Sequence, residues 1–376
     1  MSVPRIRVDG FNKNFEKKIF GEIVRSESTR MYIKSVVSDL GKYEVIQQGD
    51  IPILGYSDDR PFEKYKSVIL FGDHTLSLYR PKAPFLLATD GIKILQSTIL
   101  KRDYLYYLTQ NYIPKSQGYK RHFSVLKQVF VNYSRDSSEQ SAIGSLFRTL
   151  DDLLASYKDN LANYQSLKAT MLSKMFPKAG QTVPEIRLDG FEGEWEKLKL
   201  RDVVHTNPKS ELPENFKYID LESVVGTRIN KIREERKTSA PSRAQRLAKK
   251  GDVFYQTVRP YQKNNYLFKL DEIDYVFSTG YAQLRPIFNR CDSDFLLILL
   301  QNNRFLSNVL DRCTGTSYPA INVNDLIEIL IAIPSYEEQQ AIGSYFSNLD
   351  NLINSHQEKI TQLETLRKKL LQDMFI

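Results

Sequence analysis

The sequence has little of what secreted, membrane-spanning or metal-binding proteins require. Its 376 residues include two cysteines, Cys291 and Cys313, which form no paired metal-ligand pattern. We therefore expect two reduced thiols, not a disulfide or a zinc site. The apolar run FLLILL at Phe295 is far shorter than a membrane-spanning helix, and the amino terminus has no apolar signal core. These features predict a cytoplasmic protein without a membrane partner.

Motifs that hold cofactors or perform catalysis are also missing. The sequence contains no phosphate-binding glycine loop followed by Lys-Ser/Thr, no GxGxxG and no nucleophile elbow. It also lacks the Asn-Pro-Pro-aromatic and Asp-Pro-Pro-Tyr boxes of amino-methyltransferases. We therefore predict a non-catalytic chain that binds no cofactor or metal of its own. The alternative is an enzyme with an unrecognised site, at Asp73–His74 or Asp311–Cys313, which a methylation assay on the isolated chain would reveal.

Two framework segments occur twice in the chain. EQSAIGSLFRTLDDLLASYK at Glu139 returns as EQQAIGSYFSNLDNLINSHQ at Glu338, with about 15 identities in the 39 positions compared. PRIRVDGF at Pro4 returns as PEIRLDGF at Pro184. The long inserts between them, about 20–136 and 200–335, show no sequence similarity that we could align. The framework is therefore duplicated around different contents.

The repeated segments predict two long helices that pair with each other. In each copy, apolar residues recur every three or four positions without a break, the pattern of a coiled-coil seam. The two seams consist of Ile143, Phe147, Leu150, Leu154, Tyr157, Leu161, Tyr164, Lys168, Met171 and Met175, and of Ile342, Phe346, Leu349, Ile353, His356, Ile360, Leu363, Arg367, Leu370 and Met374. Two unrelated helices that pair with other chains are the alternative.

The ends of these helices carry further signals. Asp136 before Glu139, and Ser335 before Glu338, have the spacing of capping boxes. The chain's own ends would nearly recreate the junction MFPKAGQTVPEIRLDGF found in its middle. This predicts a cyclic, pseudo-twofold arrangement in which the last helix closes a ring.

The inserts resemble small α+β domains with curved sheets, and the second is strongly basic. The first contains the β-like runs SVILFG, TLSLY and GIKIL, and the second contains DVFYQTV, DYVFSTGYAQL and IEILIAIP. Residues 228–250 hold nine basic side chains and two acidic ones, followed by FYQTVRPYQKNNY. Lys and Arg neutralise phosphates, whereas Arg, Gln and Asn read base edges. With a net charge of +8, this pattern favours a nucleic-acid partner over a merely solvated face.

Together these motifs resemble the specificity subunit of type I restriction–modification systems over nearly the whole chain. The similarity rests on EEQQAIGSYFSNLDNLI, the repeated P-x-I-R-x-D-G-F, APSRAQRLAKKGDVFYQTVRP, STGYAQLRP and TGTSYPAINVNDL, with GDIPILGY and VILFGDHT in the first half. One departure is SQGYKRHFS, which stands where the second half has TGTSYPAIN.

The resemblance implies an α+β fold of two target-recognition domains that are separated by two long antiparallel helices. The domains would be residues 1–136 and 178–335, and the helices 137–177 and 336–376. Each domain would read half of a split, asymmetric site in double-stranded DNA, and the helices would set the gap. Two methyltransferase subunits and motor-nuclease subunits would dock on this scaffold, and these partner subunits would bind S-adenosylmethionine, ATP and Mg.

The candidate DNA-contacting residues lie in loops of both inserts. They are His74, Thr75, Arg80, Lys82, Lys120, Arg121, Arg243, Arg246, Thr257, Arg259, Tyr261, Gln262, Lys263, Asn264, Thr279, Tyr281, Ser317 and Tyr318. Arg259 is expected to read a base, and Lys263 to contact a phosphate. A coiled-coil scaffold that binds RNA or DNA without sequence specificity is the rival interpretation.

Overall fold

Eight α-helices and twenty-one short strands occur in the part of the chain that the structure, a computed structural model, describes: residues 4–34, 36–118 and 120–375. The helices are α1 Phe20–Ile23, α2 Arg102–Asn111, α3 Phe123–Leu126, α4 Ser137–Lys174, α5 Ser293–Gln301, α6 Asn303–Leu310, α7 Val323–Ile327 and α8 Tyr336–Met374. The two long helices, α4 and α8, occupy the segments that the repeat predicts.

The strands fall into two sets, one in each insert. The first set is β1 Glu16–Ile19, β2 Arg25–Glu27, β3 Tyr43–Ile46, β4 Ile53–Ser57, β5 Val68–Gly72, β6 Leu78–Tyr79, β7 Phe85–Leu87, β8 Ile92–Gln96 and β9 Phe130–Tyr133. The second set is β10 Glu196–Lys199, β11 Val204–Thr206, β12 Asn215–Ile219, β13 Val224–Val225, β14 Arg228–Ile229, β15 Arg233–Arg236, β16 Ala244–Leu247, β17 Val253–Gln256, β18 Tyr266–Leu267, β19 Tyr275–Ser278, β20 Tyr281–Pro286 and β21 Leu330–Ile333.

The chain divides into two compact units. The first consists of Met1–Asp159 with Gln357–Ile376, and the second is Asn160–His356. Each long helix therefore supplies residues to both units, whereas the sequence-based scheme set the helices apart as separate segments. We call residues 4–136 the first domain and residues 178–335 the second domain.

The two domains have the same sheet topology although their sequences could not be aligned. The first has a sheet of order β2-β8-β5-β6 and another of order β4-β3-β7, and the second has β11-β20-β17-β18 and β15-β12-β19-β16. In each domain one pair is parallel, β3 with β7 and β12 with β19, and the other pairings in these sheets are antiparallel. The duplication therefore includes the inserts, with β16 as an additional edge strand in the second.

The central strands are buried on both faces, which explains their continuous apolar sequences. Every residue of β5, VILFG, is buried, and so is every residue of β17, VFYQ. The first-domain core joins β5 to α2 through Tyr104 and Leu108. In the second domain the apolar helix α5 takes the equivalent place. The run FLLILL at Phe295 is thus a buried core helix, and no helix among the described residues is long and apolar enough to span a bilayer.

Within each unit the long-helix segments run antiparallel. In the first unit Arg367 Nε lies 2.6 Å from Asp151 Oδ1, and Lys158 Nζ lies 2.7 Å from Glu364 Oε1. In the second unit Lys168 pairs with Asp350. All of the predicted seam residues are buried or half-buried. The predicted pairing is confirmed in both units, and the two seam cations bind aspartates at equivalent positions of the repeat.

The P-x-I-R-x-D-G-F motif attaches each domain to the start of a long helix. Arg7 Nε donates to Glu139 Oε1 at 2.6 Å, and Arg187 Nε donates to Glu338 Oε1 at 2.8 Å. Both carboxylates are buried. The predicted helix caps are confirmed. Asp136 Oδ1 accepts from the Glu139 amide, and Ser335 Oγ accepts from the Glu338 amide. The reciprocal half of the capping box is wrong, because both glutamates bind arginine instead.

The carboxyl ends of α4 and α8 are anchored in equivalent ways. Met175 and Phe176 lie in the second-unit core, and Met374 and Phe375 lie in the first-unit core. The Ile186 amide donates to Lys174 O, as the Arg5 and Ile6 amides donate to Asp373 O. The last helix therefore packs on the domain that begins the chain.

Candidate nucleic-acid interface

The loop after β17 presents an arginine stacked on an exposed tyrosine. Arg259 adopts a left-handed backbone conformation with φ of 54°, and its amide donates to Pro319 O at 2.7 Å. Its guanidinium carbon lies 4.3 Å from the ring centroid of Tyr318, which is 63% exposed. Stacking fixes the guanidinium plane while leaving its donors available, which suits the bidentate reading of a base edge.

Main-chain hydrogen bonds bring three further segments to this loop. The Thr257 amide donates to Gly280 O, and the Ile321 amide donates to Thr257 O, each at 3.0 Å. The Thr279 amide donates to Arg243 O at 2.8 Å. We call these segments the second-domain loop cluster: residue 243 and residues 257–264, 279–280 and 314–321. It contains the exposed side chains of Arg243 and Ser317.

The remaining predicted residues of that loop have mixed roles. Tyr261 and Gln262 are exposed, whereas Asn264 Oδ1 accepts from the Gly226 amide. Lys263 Nζ donates to Gln301 O and Asn303 Oδ1 at the junction of α5 and α6, and partial burial lowers the pKa of its amine. This amine therefore holds the loop, and the role of a phosphate contact does not fit its bonding.

Three second-domain candidates lie at least partly inside the fold. Tyr281 is fully buried in β20, and Thr257 is buried with its hydroxyl donating to Gly280 O. Arg246 is half-buried on β16, and burial lowers the pKa of its guanidinium. Tyr281 and Thr257 thus support the loop cluster from beneath.

In the first domain the same three loops lie together. The Asp73 amide, directly after β5, donates to Gly91 O at 2.7 Å, as Thr257 does to Gly280. The His122 amide donates to Asp73 O at 2.9 Å, in the place of Ile321. We call residues 73–77, 88–91, 115–118 and 120–122 the first-domain loop cluster. The described residues of SQGYKRHFS, all except Tyr119, therefore occupy a place equivalent to TGTSYPAIN despite the different sequences.

Four predicted residues lie in the first-domain loop cluster and two do not. His74 Nδ1 is 3.2 Å from Lys120 O, while Thr75, Lys120 and Arg121 are exposed. Arg80 and Lys82 follow β6, outside the loop cluster. The Arg80 guanidinium lies 3.3 Å from Asp151 Oδ2 and 4.5 Å from the Tyr106 ring. Arg80 therefore fastens the domain to α4, which removes it from our set of candidate DNA contacts.

Sequence reasoning missed the buried residues that support the first-domain loops. Asp73 and His122 are 2% and 1% exposed and bridge the turn after β5 to the segment before α3. The sequence signal was a polar residue at the end of an apolar strand, which is common in loops and therefore uninformative alone. No group of three or more His, Cys, Asp or Glu residues in the described ranges could hold a metal ion.

The comparisons with known proteins agree with one another. The family described as "Type I restriction modification DNA specificity domain" matches residues 192–365. The HindI specificity subunit of Haemophilus influenzae is 29% identical over 140 residues, which are 36% of this chain and 30% of that protein. The chain thus matches under a third of that relative's length. The MjaVIII specificity subunit of Methanocaldococcus jannaschii is 25% identical over 314 residues, covering 76% and 72% of the two chains.

A solved structure supports the fold over the full length. The type I restriction–modification S subunit from M. genitalium superposes with a TM-score of 0.67 at 16% identity, covering 100% of this chain and 99% of that one. The predicted fold class is confirmed by this likeness, and a non-specific RNA or DNA scaffold is not favoured by the matches. The chain is therefore similar to the specificity subunits of type I restriction–modification systems, in sequence over residues 192–365 and in fold over its whole length.

Proposed function

We propose that the chain reads a two-part, asymmetric sequence in double-stranded DNA, one half-site with each domain. The observation that carries this proposal is the presence of equivalent loop clusters on two domains of one topology, with different side chains. The first offers His74, Thr75, Lys120 and Arg121, and the second offers an arginine stacked on tyrosine. Different donors and acceptors at equivalent places select different bases, so the two half-sites should differ.

The proposed partners are supported by the similarity to specificity subunits and by the missing catalytic motifs. Two methyltransferase subunits would bind the chain and hold S-adenosylmethionine, and motor-nuclease subunits would bring ATP and Mg chemistry. The chain's own task is to place these subunits on one DNA sequence. This work would take place in the cytoplasm, where the DNA substrate is accessible.

Labelled methyl transfer tests the division of labour. The purified chain alone should transfer no methyl groups from S-adenosylmethionine to DNA, and the same chain with its modification subunit should do so. Transfer by the chain alone would contradict the proposal. Transfer by the modification subunit at the same sites without this chain would contradict it equally.

A further inference from the structure

Two buried residues, Asp73 and His122, connect the three loops of the first-domain loop cluster, through their side chains and, for the 88–91 loop, through the Asp73 main-chain amide. His122 Nδ1 lies 3.0 Å from Asp73 O, and the Gln117 amide donates to His122 Nε2 at 3.1 Å. A carbonyl oxygen only accepts and an amide N–H only donates, so these partners assign the hydrogen to Nδ1. Asp73 Oδ1 accepts from the Phe123 amide at 2.7 Å, and the Asp73 amide donates to Gly91 O.

The loop that His122 holds carries candidate DNA-contacting cations. Lys120 and Arg121 immediately precede it and are exposed, and the Lys120 carbonyl accepts the contact from the His74 ring. His122 itself is 1% exposed, so it cannot touch DNA. Its influence on DNA reading must therefore pass through the shape of this loop.

The second domain holds its equivalent loop differently. Residues 314 and 320 exchange two main-chain hydrogen bonds, and the amides of Arg259 and Ile321 tie the same loop to the segment after β17. In the first domain the His122 amide keeps the bond equivalent to that of Ile321, and the His122 ring adds two hydrogen bonds that the second-domain loop does not have at Ile321. Substitution of His122 should therefore affect one domain and spare the other.

We propose that His122, supported by Asp73, is a positioning residue that sets the specificity of the first half-site. This inference rests on the proposed function, because it assumes that the first-domain loop cluster reads DNA. Loss of both ring hydrogen bonds removes the acceptor of the Gln117 amide, while the Asp73 carbonyl keeps only the His122 main-chain amide as its donor. The 115–121 loop should then sample several conformations, and its cations should no longer select one base arrangement.

The first readout is hydrogen exchange on the purified full chain. In His122→Phe, which keeps a ring but removes both hydrogen bonds, the amides around Gln117 should exchange roughly tenfold faster. The 314–321 loop should exchange as in the unaltered chain. In His122→Asn, whose side-chain amide can still donate to Asp73 O, the amides around Gln117 should exchange at a rate between those of His122→Phe and the unaltered chain. The control is His205→Phe, which changes an exposed histidine on β11.

The second readout is the methylated motif produced in cells with the modification subunit. His122→Phe should lower discrimination among bases of one half-site roughly tenfold and leave the other half-site unchanged. Unaltered exchange around Gln117, or equal loss at both half-sites, would overturn the positioning role. If His122→Phe does not fold, the same comparison is made with His122→Asn. If the amides around Gln117 exchange faster but the methylated motif has no second half-site, the proposed function is contradicted. The role of His122 in holding the loop would still stand.

Discussion

At the scale of single residues, the identities kept in both copies of the repeat correspond to equivalent contacts. Gln140 Oε1 accepts from the Lys101 amide before α2, and Gln339 Oε1 accepts from the Asp292 amide before α5. The glycine four positions after each glutamine lies against the same helix starts. At Gly343 an added Cβ would come 2.8 Å from Asp294 Cβ, closer than carbon atoms normally approach. The repeat is therefore a docking surface between helix and domain as well as a seam between helices.

We expect Gly343→Ala to destabilise the protein by about 1–2 kcal/mol, because overpacking at a close contact outweighs the helix propensity gained. Urea denaturation measures the change. Ser344→Ala, at an exposed position one residue later on α8, is the matched control. Its free energy of unfolding should lie within about 0.5 kcal/mol of that of the unaltered protein. A Gly343→Ala protein more stable than the original would show that the helix and the domain do not meet as described.

The two basic residues of the second-domain loop should behave differently. Arg259→Ala should cost about 1–3 kcal/mol of discrimination at one half-site if its stacked guanidinium reads a base, as we propose. Lys263→Met should leave the salt dependence of DNA binding unchanged, because the amine is already bonded to Gln301 and Asn303. Fluorescence anisotropy of the assembled methyltransferase at several salt concentrations checks both. If the slope of log affinity against log salt concentration falls by about one for Lys263→Met, Lys263 does contact a phosphate.

The site could be predicted from the sequence only where the chemistry is local. Arg259 and Tyr318 could be placed in surface loops because basic and aromatic residues stand there beside turn signals, and their contact with DNA stays a prediction. Arg80 and Lys263 were misassigned because their partners are distant in sequence. Arg80 pairs with Asp151, and Lys263 bonds to Gln301 and Asn303. His122 was missed because nothing around a lone histidine in a loop indicates burial.

At the scale of elements, the long helices could be predicted well and the inserts poorly. A helix repeats its contacts every three or four residues, so the pattern of Ile143 to Met175 already contains its register. Sheet pairings join strands such as β2 and β8 that are far apart in the sequence. Many unrelated sequences show the same alternation of apolar and polar residues, so the alternation does not reveal which strands pair. The shared topology of the two domains was therefore not visible in their sequences.

The equivalent seam aspartates allow a matched comparison. Asp151 accepts from Arg367, from the Tyr107 hydroxyl at 2.6 Å and from Arg80, whereas Asp350 pairs with Lys168. Asp151→Asn should cost about 2–3 kcal/mol, because it leaves two neighbouring guanidinium groups without this shared carboxylate. Asp350→Asn should cost about 1 kcal/mol or less. Chemical denaturation measures both, and an equal or reversed order would contradict the network around Asp151.

In the whole molecule, a duplicated framework with different loops would let one chain specify an asymmetric sequence, as we propose. Both domains use the loop after the central strand, the turn before its neighbour and the segment before a short helix. The framework contacts of Arg7 and Arg187 are the same, while the loop clusters differ. Specificity should therefore evolve in the loops without changing how the subunits assemble.

Sequencing of methylated DNA from cells that express this chain with its modification subunit tests whether each domain reads one half-site. We expect a single motif of two specified half-sites with different sequences, separated by unspecified base pairs. In the same experiment Arg259→Ala should relax one half-site and leave the other unchanged. A continuous or palindromic motif, or relaxation of both half-sites by Arg259→Ala, would contradict the assignment of one half-site to each domain.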